Sequence, residues 1–187
     1  MQTPDDHDQM NWHTVLMLIA LAGLPGAGTT SIARTLAPEF GAVHLRIDAI
    51  ETVLHREGMW SDEHPAVAYE IAAELAADQL GHGLPVIIDA VNPVQEARAL
   101  WRELASRHHT ALVAVELVCA DAAEHRRRVE HRTPDLRGQV VPSWHEVVDR
   151  QYVAWDDADV LHVDTAATDH PAGVIAAHVR DLTGAAR

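Results

Sequence analysis

Three glycines, two threonines and two carboxylates have the types and spacing to do chemistry in this chain. Gly23-Leu24-Pro25-Gly26-Ala27-Gly28-Thr29-Thr30 joins an apolar run to a helical pattern. Gly23, Gly26 and Gly28 allow positive φ, so successive N–H groups of the loop can turn inward on one anion. The helix start adds unpaired N–H donors and the positive end of a dipole. The chemistry is therefore phosphate binding; the bland alternative is a tight strand-to-helix turn with no ligand. The Thr30 hydroxyl is placed to ligate Mg²⁺ between β- and γ-phosphates, or is an ordinary first-turn threonine. Asp89 ends an apolar run, where a carboxylate holds that cation through water or accepts backbone N–H groups in a turn. Asp48 follows another apolar run and is placed to take a proton from a substrate hydroxyl, to cap its own helix, or both. Arg46, two residues earlier, leaves the same face of the strand; it binds substrate, supplies charge to the phosphates, or is a surface arginine. Asn92-Pro93 reads first as a helix cap and first turn, with a substrate contact as the alternative for Asn92. Arg126, Arg127, Arg128, Arg132 and Arg137 bracket a loop. Of these Arg128 and Arg132, four apart on one helical face, are the pair expected to grip phosphate oxygens.

Gly23, Gly28 and Thr30 satisfy the Walker A pattern G-x-x-x-x-G-K-[ST], but Thr29 stands at the lysine position, and the chain contains no lysine at all. Loss of one preorganised electrostatic contact costs about 10²–10³ in rate. Three accounts stay open. An arginine, Arg46 or one beside the loop, supplies the charge in space; the protein binds nucleotide without turning it over; or Thr29 is an engineered change.

The elements that must position these residues follow from the pattern. Residues 14–23 form a central parallel strand, apolar without alternation. The helix after the glycine loop carries Ile32, Ala33, Leu36 and Ala37 on one stripe and stops at Pro38. Residues 42–47 form a second strand, and Asp48 with Glu51 makes an acidic variant of a capping box on a helix to Arg56. A helix from Pro65 to Leu80 presents Val67, Ile71 and Leu75 on one face. Residues 85–89 form a third strand, followed by a helix burying Val94, Ala97, Trp101 and Leu104. A fourth strand spans 111–119 and a helix 121–132. A loop at 133–142 and a helix at 144–153 precede a short strand at 160–163 and a last helix at 170–182. Strands alternating with helices predict an α/β fold with a parallel sheet, in which ligands bind beyond the carboxyl ends of the strands. Residues 1–12 read as loose, and 13–187 as one domain with a lid over about 132–142.

Composition narrows the function further. The chain has 187 residues and a formal net charge of -14. That field repels phosphodiester backbones, which argues against a nucleic-acid partner, and it favours a neutral or cationic small molecule over a polyanion. No apolar run reaches the roughly 18–20 residues that span a bilayer. The single Cys119 reads as a buried filler, consistent with a reducing cytoplasm. The 14 histidines include no zinc-ligand spacing: His125 and His131, six apart, do not share a helical face.

Taken together, the glycine loop, His44-Leu45-Arg46-Ile47-Asp48, Asp89-Ala90-Val91-Asn92-Pro93 and Glu124-His125-Arg126-Arg127-Arg128-Val129-Glu130-His131-Arg132 resemble the bacterial P-loop kinase-like proteins, the AAA-type group related to gluconate kinases, chloramphenicol phosphotransferases and zeta toxins. The resemblance runs from about Val15 to Ala166. It implies a five-stranded parallel sheet, ATP (with GTP open) and Mg²⁺, and phosphoryl transfer to a small-molecule hydroxyl. It also implies that Asp48 serves the acceptor and that the arginines at 126–132 flank a lid. It names neither the acceptor nor an oligomeric state. A lysine-free loop leaves a second expectation beside the kinase: a nucleotide-binding protein with little or no catalysis.

Overall fold

The first strand of the protein, β1 (Met17–Ala22), is buried at every position. Leu18, Ala20 and Ala22 enter one hydrophobic cluster with Trp101 and Leu104. Met17, Ile19 and Leu21 enter another with Ile32, Leu36 and Val179. Alternate side chains thus face two separate layers, which is why the run shows no polar alternation. The structure is a computed structural model that describes residues 16–61 and 63–184. The segment 1–12, expected to be loose, lies outside the described residues.

β2 (Val43–Arg46), β3 (Val86–Asp89), β4 (Ala111–Val118) and β5 (Leu161–Asp164) complete a parallel sheet of order β2-β3-β1-β4-β5. Register fixes the site: Leu21 of β1 lies beside Asp89 of β3, and Asp89 beside Arg46 of β2. Three strands therefore end at one height, with the glycine loop leaving β1 next to Asp89. α1 (Thr29–Phe40) and α7 (Pro171–Gly184) cover one face of the sheet. α3 (Val67–Gly81) and α4 (Gln95–Arg107) cover the other. α2 (Ile47–Arg56), α5 (Ala122–Glu130) and α6 (Trp144–Val148) lie at connections. Among the described residues no helix is long and apolar enough to cross a membrane.

Local signals were overridden at five places. Pro38 does not stop α1; it sits in the last turn, and the helix ends at Phe40 with Gly41 left-handed at φ 60°. Asp48 does not cap α2, whose N-cap is Arg46 with no side-chain bond; the carboxylate is taken by cations instead. On α3 the buried face is Ala68, Ala72, Ala73, Ala76 and Leu80, while Ile71 and Leu75 are exposed. Small side chains let this helix approach β2, β3 and α4 closely, and the larger stripe is turned out. Asn92 does not cap α4, which starts at Gln95 behind Val94. The helix expected over 144–153 stops at Val148. Beyond it the chain is pulled straight: the Val153 N–H donates to Pro93 O at 2.9 Å, and buried Glu116 accepts from the Tyr152 hydroxyl at 2.6 Å and the Trp155 N–H at 2.8 Å. Cys119 is buried, as its apolar neighbours imply.

Candidate active site

The glycine loop is clamped from below and from the side. The Gly23 N–H donates to Val91 O at 3.2 Å, and the Ala27 N–H closes a turn on Leu24 O at 2.9 Å. Gly26 and Gly28 have φ of 92° and 101°, left-handed values that favour glycine. Gly26 also has no room for a side chain: a Cβ there would meet Val129 Cγ2 at 2.8 Å and His125 Cδ2 at 2.9 Å. α5 therefore packs directly on the loop. His125 Nε2 donates to Pro25 O at 2.8 Å, which fixes the proton on that nitrogen. Just beyond β5, Thr165 Oγ1 donates to Ala27 O at 2.9 Å. Gly28 is the N-cap of α1 and offers no side chain to the first-turn amides, which leaves them directed at the loop concavity.

Thr29 and Thr30 open α1 and reach the end of β3. Asp89 is buried, and burial pushes its carboxyl up; hydrogen bonds from His44, Thr30 and Thr29 outweigh that and hold it below the ordinary carboxylate range. His44 Nε2 stands 3.1 Å from Asp89 Oδ2. Among the described residues no group of three or more His, Cys, Asp or Glu could hold a metal ion. The Thr30 hydroxyl and the Asp89 carboxylate do line one cleft, however, and are hard oxygen donors of the kind Mg²⁺ takes together with phosphate oxygens and water.

Beside this lies a second set of charges. Asp48 Oδ2 accepts from Arg46 Nη2 at 3.1 Å, Arg132 Nη2 at 3.0 Å and Gln139 Nε2 at 3.2 Å. Arg46 is 8 % exposed. Burial pulls its pKa down, but the hydrogen bonds and charges of Asp135 and Asp48 outweigh it and raise it, so the guanidinium stays charged. Arg128 donates from Nη1 to Thr165 Oγ1 at 2.8 Å and from Nη2 to Thr165 O at 3.1 Å, and pairs with Glu124. It is thus tied to the same threonine that holds the glycine loop. Arg126 and Arg127 pair with Glu130 and Glu124 at the surface of α5.

One cleft of ≈ 650 Å³ unites these groups, lined by Gly23, Pro25, Gly26, Gly28, Thr29 and Thr30 of the loop together with Arg46, Asp48, Asp89, Arg128 and Arg132. Leu24 and Ala27 are not part of its wall. Nor is Asn92: it is 0 % exposed, its Nδ2 donates to Leu21 O at 2.7 Å, and its Oδ1 accepts from Trp101 Nε1 at 2.7 Å. The alternative of a substrate contact for Asn92 has no surface of the side chain in the cleft to act through. Asn92 props the turn after β3 from beneath, in a left-handed conformation at φ 50°. His125 and Thr165 were not foreseen as loop supports, nor Arg34 and Asp135 as parts of the cleft, nor Gln139 as a partner of Asp48. Their partners lie far off in sequence, and no local spacing marks them.

Residues 18–151 match the family model described as an AAA domain. Among solved structures, a gluconokinase from Sinorhizobium meliloti is 20% identical with a TM-score of 0.66, covering 89% of this chain and 93% of that one. The Mycobacterium tuberculosis APS kinase in complex with AMPPNP and APS is 19% identical with a TM-score of 0.62, covering 91% and 98%. Chaetomium thermophilum Kti12 in complex with ADP-AlF3 is 17% identical with a TM-score of 0.63, covering 88% and 97%. At these identities the likeness is one of fold. Comparison with curated proteins finds no match.

Proposed function

The chain belongs to the AAA domain family and has the P-loop kinase fold, and on that premise we propose that it moves the γ-phosphate of ATP to a hydroxyl of a small molecule. The observation that carries this is the convergence of Thr29, Thr30 and Asp89 on the walls of one cleft with Asp48 and four arginines. Amides of the loop and of the α1 N-terminus hold the phosphate chain. Mg²⁺, when bound by Thr30 and Asp89, supplies charge to the β- and γ-oxygens. Asp48 accepts the proton of the acceptor hydroxyl. Among the described residues the three hydrogen bonds of its carboxylate fall on Oδ2, which leaves Oδ1 for that hydroxyl. Arg128 and Arg132 contribute the positive charge that a lysine at position 29 would otherwise bring, with Arg46 as the third source. The gluconokinase and APS kinase likenesses support phosphate transfer to a small molecule without specifying which.

A second reading, nucleotide binding with little turnover, is favoured by Thr29 alone. A threonine hydroxyl carries no charge to set against the phosphates. Transfer from [γ-³²P]ATP to a panel of sugars, sugar acids, amino alcohols and nucleosides separates the two. The kinase reading expects a labelled product from the unmodified protein, and a gain of about 10² in rate on Thr29→Lys. Saturable ATP binding with no product from either protein would establish the second reading instead.

A further inference from the structure

The lid carries an anion into the cleft. Asp135, within the segment joining α5 to α6, places its carboxylate between two guanidinium groups from different elements. Arg46 Nη1 at the end of β2 donates to both oxygens, at 2.9 Å each, and Arg34 of α1 donates to Oδ2. These partners are 89 and 101 residues away in sequence, so neither contact is a by-product of local chain geometry. Arg34 is 58 % exposed in its side chain and makes no other ion pair among the described residues. Arg46 Nε is buried and has no hydrogen-bond acceptor, its nearest carboxylate oxygen being that of Asp89 at 3.9 Å. Were Asp135 withdrawn, Arg34 would lose its partner and Arg46 both bonds of Nη1, beside a donor already unmet. All of these groups line the same cleft as the glycine loop and Asp48.

We propose that Arg34 and Arg46 form an oxyanion-binding fork for the acceptor, and that in this structure Asp135 of the lid occupies it as an internal stand-in. The acceptor is then a small hydroxyl compound that also bears a phosphate or carboxylate group. Its anion displaces Asp135 and brings its hydroxyl to Asp48, which shares Arg46 with the fork. Two guanidinium groups converging on one carboxylate are the arrangement that recognises such groups by paired, charge-assisted hydrogen bonds. The overall charge of -14 does not oppose this, because the arginines of the cleft set the local field. The acceptor role rests on phosphotransfer at this cleft; the fork itself does not. An intramolecular occupant lowers the apparent affinity for an external anion by the fraction of time the fork is free.

The test is a thermal-unfolding titration of the full chain with inorganic phosphate and, separately, with acetate. The unmodified protein, Asp135→Asn and the double variant Asp135→Asn/Arg34→Gln are compared, each checked for native circular dichroism. The glycine loop is common to all three, so its own anion binding cancels. Asp135→Asn, which keeps the shape and removes the charge, is expected to tighten anion binding about tenfold, and the double variant to lose that gain. A gain with phosphate alone assigns a phosphorylated acceptor, and a gain with acetate as well a carboxylate. Unchanged affinity in Asp135→Asn, or a gain that survives in the double variant, would overturn the fork. Titration of the same samples with Mg·AMPPNP reads the nucleotide site independently, so failure of that site and failure of the fork are distinguishable.

Discussion

Asp48→Asn is expected to lower the rate of phosphoryl transfer by about 10²–10⁴, the range that a positioned general base contributes, with nucleotide affinity unchanged. The asparagine keeps the size of the side chain and one acceptor oxygen for Arg46, Arg132 or Gln139, so the contacts to the segment joining α5 to α6 are weakened rather than removed. What it loses is basicity. The glycine loop is held by other residues: His125, Thr165 and Val91 fix it, and none of them bonds to Asp48. Steady-state kinetics with ATP and acceptor varied separately distinguish the two roles. A fall in kcat at constant nucleotide affinity supports Asp48 as the base. A parental kcat with a raised KM for acceptor would make it a binding residue only.

Arg98→Leu is expected to destabilise the fold by about 3–5 kcal/mol, the tail of the distribution reached when a buried polar network is broken. Arg98 is fully buried, yet the acceptors of its hydrogen bonds are all backbone carbonyls: Asn92 O at 2.9 Å, Ala154 O at 3.0 Å and Val153 O. Its guanidinium also stacks over the rings of Tyr152 and Trp155 at 5.6 and 5.3 Å. Buried ion pairs can be replaced by apolar groups at little cost because both partners leave together. Here the three carbonyls would remain, in the two segments that Arg98 stitches together. One of them carries Asn92, the prop under the turn after Asp89. For a chain of this length the loss corresponds to a fall in Tm of roughly 10 °C. Arg98→Lys, which retains a donor, should recover part of it. An unchanged Tm for Arg98→Leu would mean that the carbonyls find other donors.

The same buried arginine shows where sequence reasoning runs out. Gly26 and Gly28 were legible because a left-handed backbone leaves a mark in residue type. Arg46, Asp48 and Asp89 were legible because a polar residue at the end of an apolar strand has one height at which to emerge, and parallel register makes those heights coincide. By contrast, an arginine on a helix stripe reads as solvent-facing, and only the return of residues 152–155 beneath α4 turns Arg98 into a core residue. Glu116 in the middle of β4 was the available signal: a lone carboxylate in an apolar strand demands partners, and Tyr152 and Trp155 are those partners. Asn92-Pro93 misled because the cap signature is local, while the competing bonds to Leu21 and Trp101 are tertiary. On α3 two apolar stripes coexist, and only the spacing available against the sheet chooses the alanine one. His125 was weighed as a metal ligand and set aside; its bond to Pro25, 100 residues away, left no trace in spacing.

In the proposed function, main-chain amides of Gly23–Thr30, rather than a lysine, hold a nucleotide's phosphates. Isothermal titration of the unmodified 187-residue chain with Mg·AMPPNP tests this most directly. Saturable one-to-one binding that competes with Mg·ATP is the expected result. No heat of association with either adenine or guanine analogue, from protein shown to be folded, would contradict it.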